Sequence, residues 1–228
     1  MLKKLVIAAA FTVLSQTAAA QGSMFYTGEI VDLGNGFGSQ SVIVTFKGKG
    51  NSTTEGGCVG WGNSTTNCGV ADNGVSLGPS QGSFRSFSEF VNLQGSTFRL
   101  ILNGNEPGSA GDLNILSLNL RLWADATTFV QFDLIEDDKG TYTGGQGLGA
   151  LGLVFGISQS SWGLFDNFIA ANPNGGLGAG GTFSDIAGGP EYLAATIVTT
   201  QQVPEPASLG LIVAGLAGLG VAARRRKA

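Results

Sequence analysis

The chain has 228 residues with 12 basic, 16 acidic and no histidine side chains, and charged residues make up only 12% of it. The missing histidine excludes Ser-His-Asp and Cys-His nucleophilic sites and every histidine-ligated metal centre. Six of the basic residues (Lys3, Lys4, Arg224, Arg225, Arg226, Lys227) and one acid (Glu205) lie at the two ends, leaving 6 basic and 15 acidic residues between them, a net charge of −9. A surface of that sign repels phosphate backbones, so nucleic acid is not an expected partner.

At the N-terminus Lys3 and Lys4 precede the apolar run Leu5 to Leu14, and Ala18-Ala19-Ala20 meets the small-residue rule for cleavage before Gln21. Residues 1–20 thus read as a signal peptide for export. The apolar run is too short and too closely followed by a cleavage site to be a permanent anchor. Residues 21–202 have the length of one domain.

Glycine supplies 38 residues, a composition that favours many short strands joined by turns over a helical domain. Phe25 to Leu33 and Ser41 to Lys47 are the first strand candidates and are expected to form an antiparallel hairpin. Gly48 to Pro79 reads as a long polar loop carrying the only cysteines, Cys58 and Cys68, which an exported setting should join as a disulfide. Phe84 to Leu93 fits a helical face or a strand equally well, and Thr97 to Asn103 reads as a strand. The clearest period-two pattern runs from Leu116 to Leu122, with Leu116, Leu118, Leu120 and Leu122 expected inward and Ser117, Asn119 and Arg121 outward. Thr128 to Glu136 repeats it with Val130, Phe132 and Leu134. Asp137-Asp138-Lys139-Gly140 then forms a tight turn into Thr141 to Thr143. The apolar run Leu151 to Ile157, the aromatic segment Trp162 to Ile169 and a final strand over Tyr192 to Thr200 complete the domain, with Asn172 to Pro190 as a Gly-rich loop. The fold class is all-β: an antiparallel β-sandwich, with a jelly roll as its variant and a barrel as the alternative architecture.

Candidate sites are few. Asp133, Glu136, Asp137 and Asp138 form the densest oxygen cluster and the one candidate calcium site, against a plain solvated turn. Asp72-Asn73-Gly74 and Asp166-Asn167 are weaker versions of it. Trp61 lies between the cysteines in polar surroundings and is the candidate glycan contact, whereas Trp162, amid Leu164, Phe165 and Phe168, reads as core. Asn51-Ser52-Thr53 and Asn63-Ser64-Thr65 match the glycosylation acceptor pattern. No catalytic residues stand out.

The last residues read Val203-Pro204-Glu205-Pro206, then 17 uncharged residues (Ala207 to Ala223), then four consecutive basic residues before Ala228. As a helix, 17 residues span about 25 Å, at the short limit for crossing a bilayer core. The basic end should remain cytoplasmic and the preceding domain outside. Gly210, Ala214, Gly218 and Ala222 place small residues on one face of that helix. This tail resembles the PEP-CTERM sorting signal of Gram-negative bacteria. The resemblance implies processing by a membrane-embedded exosortase partner at Val203 to Pro206, with residues 203–228 as a sorting tail and residues 207–223 as a single transmembrane helix. It also implies a place in exopolysaccharide, biofilm or extracellular-matrix biology. The expected function is a non-catalytic surface or matrix protein without a cofactor. Its alternatives are a carbohydrate- or calcium-binding module and a carboxylate-dependent glycan hydrolase. The expected route is inner-membrane anchoring with the domain in the periplasm, then release to the cell surface or beyond.

Overall fold

A computed structural model of the chain describes residues 20–33, 41–47, 53–65, 68, 75–77, 81–104, 112–143, 151–184 and 191–198. The chain divides into two units, residues 1–197 and 198–228, and the fold below is that of the first. The expected transmembrane helix and sorting motif lie outside the described residues, as does the expected signal peptide apart from Ala20.

Among the described residues, twelve strands carry the fold: β1 (Gln21–Asp32), β2 (Ser41–Phe46), β3 (Thr54–Val59), β4 (Val75–Ser76), β5 (Arg85–Ser86), β6 (Phe98–Asn103), β7 (Asp112–Trp123), β8 (Phe129–Leu134), β9 (Gly140–Thr143), β10 (Leu151–Ile157), β11 (Gly176–Ser184) and β12 (Tyr192–Ile197). The one α-helix among the described residues is α1 (Trp162–Ala171). The strands form a single sheet in the order β3-β11-β7-β8-β1-β10-β6-β12-β2-β4, with β5 added to β11 and β9 to β7. Among the described residues every pairing is antiparallel except β1 with β8. The sheet rolls until β2 packs against β3 and β11, and the rings of Phe46 and Phe183 meet at 4.8 Å across the interior. The all-β expectation holds. Its division into two separate sheets does not, because pairing is continuous and the sheet partly closes on itself, as the barrel alternative would have it.

The core is lined by alternate residues of these strands, as a pleated half-buried sheet requires. In β8, Val130, Phe132 and Leu134 are buried, matching the sequence pattern. Helix α1 drives Phe165 into the same core, 5.2 Å from the ring of Phe98 and 5.6 Å from that of Phe132. Trp162 anchors the helix start by donating its Nε1 proton to the Ile157 carbonyl at 2.8 Å. The aromatic segment is therefore helical, with Trp162, Phe165, Phe168 and Ile169 at the spacing of one face.

Four further expectations need correction. The hairpin of the first two strands does not form: β1 pairs with β8 and β10, and β2 with β12 and β4. The apolar run of β10 is buried on both faces and takes a place between β1 and β6. Second, Thr54–Val59 in the expected polar loop is a strand at one end of the sheet order, and Glu55 to Val59 are buried. Third, Leu116 is not a core residue. Leu116 and Ser117 together oppose Thr182 of β11, a β-bulge that shifts the register of β7 and leaves Leu116 46% exposed. Leu118, Leu120 and Leu122 face inward beyond the bulge, while Leu113 and Ile115 do so before it.

The largest correction is the Gly-rich segment. Gly176 to Ser184 is no loop but strand β11, paired with β7 along its whole length and with β3 and β5 on its other edge. Glycine inside a strand weakens it unless something approaches closely. Here a Cβ at Gly176 would stand 2.4 Å from the Arg85 carbonyl oxygen, and one at Gly178 would stand 2.3 Å from that of Val59. The neighbouring backbones occupy the space that side chains would need.

Candidate functional site

The disulfide loop carries the candidate glycan contact, Trp61. Cys58, on β3, is joined to Cys68 as expected, with Cα atoms 5.9 Å apart and both residues buried. Between them a 3-10 turn spans Trp61–Asn63, where Gly62 (φ 62°) and Asn63 (φ 67°) are both left-handed. Glycine and asparagine are the residues that tolerate this conformation best. The Gly60 amide donates to the Ser64 carbonyl at 2.7 Å and closes the loop base.

Trp61, the candidate glycan contact, is half-buried against Phe84, with ring centroids 5.1 Å apart in an edge-to-face arrangement. Asn63, in one of the two glycosylation patterns, accepts a hydrogen bond from the Phe84 amide at 2.7 Å. The loop is thereby fastened to the segment that leads into β5.

Beside the loop lies a polar row on the outer face of β7 and β8, which the sequence pattern placed outward but not under cover. Arg121 is only 7% exposed, with its guanidinium 4.4 Å from the centre of the Phe129 ring and 5.8 Å from that of Trp123. Its Nε donates to Gln131 Oε1 at 2.6 Å, and Gln131 Nε2 donates to Asp133 Oδ1 at 2.7 Å. Burial lowers the Arg121 pKa from its ordinary value, and the Asp133 charge opposes that shift. The register Arg121–Gln131 and Asn119–Asp133 builds this row. The sequence signal was the repeat of polar residues at alternate positions in two neighbouring strands. Trp123 lies close to Gly60, where an added Cβ would be 3.1 Å from its ring. The disulfide loop thus approaches Trp123 closely at Gly60.

The acidic candidates do not come together. Asp133 belongs to the row just described. Glu136 pairs with Lys139 at 2.6 Å, and Asp137 is exposed in the 3-10 turn Glu136–Asp138. Asp138 Oδ2 accepts the Tyr26 amide proton at 2.7 Å, tying the turn to β1. Among the described residues, no three His, Cys, Asp or Glu side chains gather where they could hold a metal ion. Asp166 accepts the Gly95 amide proton at 2.8 Å, and Asp72-Asn73-Gly74 lies outside the described residues.

Asp138 also helps to shape a tyrosine pair. The Tyr142 hydroxyl donates to the Asp138 carbonyl at 2.6 Å, and its ring meets Tyr26 edge-to-face at 5.1 Å. Burial, then the Asp138 charge and Tyr26, push the Tyr142 phenol up to about 12, while burial alone raises that of Tyr26. A raised phenol pKa means that the folded state holds the proton more tightly than the unfolded chain, whose tyrosines titrate near 10. This contribution to stability is complete below pH 10 and is lost as pH rises through about 12. Alkaline titration followed at the phenolate absorbance should show one tyrosine ionising late and together with loss of the β signal in circular dichroism. A Tyr142→Phe variant should abolish the late step.

Among the described residues no helix is long and apolar enough to cross a membrane. No curated protein and no solved structure matches the chain. A family model does match at the C-terminus, over residues 202–227. The segment bearing Val203, Pro204, Glu205 and Pro206, the apolar run and the basic end is thus a PEP-CTERM protein-sorting motif.

Proposed function

We propose that this chain is an exported, non-catalytic surface or extracellular-matrix protein that reaches its destination through its C-terminal tail. The observation that carries the reading is the sorting motif at residues 202–227, the mark of exosortase-targeted exported proteins. The signal peptide brings the chain across the inner membrane, and residues 207–223 hold it there with the domain in the periplasm. An exosortase then acts at Val203 to Pro206 and releases the domain to the surface, among exopolysaccharide. A buried disulfide suits an oxidising compartment, and the net charge of −9 between the two ends keeps the domain soluble outside the cell. The absence of histidine removes the commonest catalytic side chain.

The test is a tail variant in a host with a working exosortase. Glu205→Ala combined with Pro206→Ala should leave the full-length chain in the inner membrane, while the parent is shortened and recovered outside it. Normal shortening and release of the double variant would reject the proposal.

A second reading, a carbohydrate-binding module, is favoured by one observation: the half-exposed Trp61–Phe84 pair on a loop fixed by a disulfide. Aromatic faces at a polar surface suit sugar rings. Titration of tryptophan fluorescence with matrix polysaccharide decides it, a Trp61→Ala variant serving as control; an unchanged spectrum disfavours this module.

A further inference from the structure

We infer that the exported chain bears a pyroglutamyl residue at position 21, formed from Gln21 once the leader has been removed. This rests on the export reading above, with cleavage after Ala18-Ala19-Ala20. Strand β1 begins at Gln21, which is exposed. The residues that follow are held. The Ser23 amide donates to Ser161 Oγ at 3.0 Å, Ser23 Oγ donates to Ser158 Oγ at 2.9 Å, and Met24 is buried in the core. A Cβ at Gly22 would fall 2.4 Å from the Phe132 ring, so the backbone there lies tight against β8. Only the amine and side chain of Gln21 are left to reorient.

The first bond of the parallel β1–β8 pairing is made by Ala20, whose carbonyl accepts the Gln131 amide proton at 3.2 Å. Cleavage before Gln21 removes this acceptor. It leaves the Gln131 amide, a donor, beside a new ammonium group, which also only donates. Cyclisation removes that ammonium charge. The neutral α-amine of Gln21 attacks its own side-chain amide carbon, a ring C–N bond forms, the bond from that carbon to the amide nitrogen breaks, and ammonia leaves with the displaced proton. The nitrogen of residue 21 becomes a lactam amide, and one positive charge disappears. No oxidant or co-reactant is needed. The blocked end is also no substrate for an aminopeptidase that requires a free amine.

The full chain is expressed in a Gram-negative host and recovered from the periplasm or medium. Primary amines on the intact protein are labelled at neutral pH before digestion, so that cyclisation during peptide handling does not count. The expected N-terminal peptide starts at residue 21, carries no amine label and is lighter than the glutamine form by one ammonia. A Gln21→Ala variant should start at the same residue and be fully labelled. A labelled peptide beginning with intact Gln21 overturns the inference while leaving cleavage at this bond in place. A peptide beginning at any other residue overturns the inference together with the cleavage site on which it rests.

Discussion

Gly178→Val should cost about 3 kcal/mol or more of folding stability, a large part of the 5–15 kcal/mol typical of a whole domain. Even the first carbon of the new side chain would lie 2.3 Å from the Val59 carbonyl oxygen and 3.0 Å from Trp123 Nε1. The Val59 oxygen belongs to backbone and has no rotamer by which to give way. Relief therefore requires that β3 move away from β11 near the Ala179–Val59 step of their pairing, which separates one end of the sheet from its neighbour. Thermal unfolding should show a fall of roughly 6–12 °C for a domain of this size. Gly163→Ala is the matched control: this glycine lies on the exposed side of α1 with nothing within 4 Å of an added Cβ, and alanine favours a helix by up to about 1 kcal/mol. If Gly178→Val melts with the parent, the close approach of β3 to β11 is not what makes glycine necessary.

Loss of the Cys58–Cys68 bond should be the second large effect. The bond joins residues 10 apart, and a chain-entropy estimate for so small a loop is about 2–3 kcal/mol. Both sulfur-bearing residues are buried, so a Cys58→Ser, Cys68→Ser variant also leaves two hydroxyls where water is scarce. The loop between them lies against Trp123 at Gly60 and holds Trp61 against Phe84. Reduction should therefore lower the melting temperature and shift tryptophan emission to the red as these rings meet water. Equal melting with and without reductant would show that the loop keeps its place by other contacts.

Much of the fold was legible because its strands alternate. The buried Val130, Phe132 and Leu134 of β8, the strand β6 and the turn before β9 all appear where period-two burial and turn chemistry put them. The failures share a cause. Leu116 fits the alternation perfectly, but a bulge is a property of two paired strands, and one strand's residues do not announce it. Glycines at 176, 178 and 181 look like a loop because the sequence shows the missing side chains and not the neighbouring backbones that crowd the space they would need. The expected hairpin of β1 and β2 was local in the sequence, whereas both strands found distant partners. Among candidate site residues, the cysteine pairing was legible from compartment and number. The Arg121–Gln131–Asp133 row was not, because it exists only in the cross-strand register.

The sequence by itself determined the β-rich class, the disulfide and the sorting motif at residues 202–227, since each is written in local composition and order. Tertiary structure decided that the strands make one rolled sheet with a glycine strand among them, that the acidic turn shares out its carboxylates, and that Trp61 has Phe84 as its partner. Those outcomes depend on which distant backbones approach within a few ångströms. Chain closure sets that proximity, and no single segment carries it.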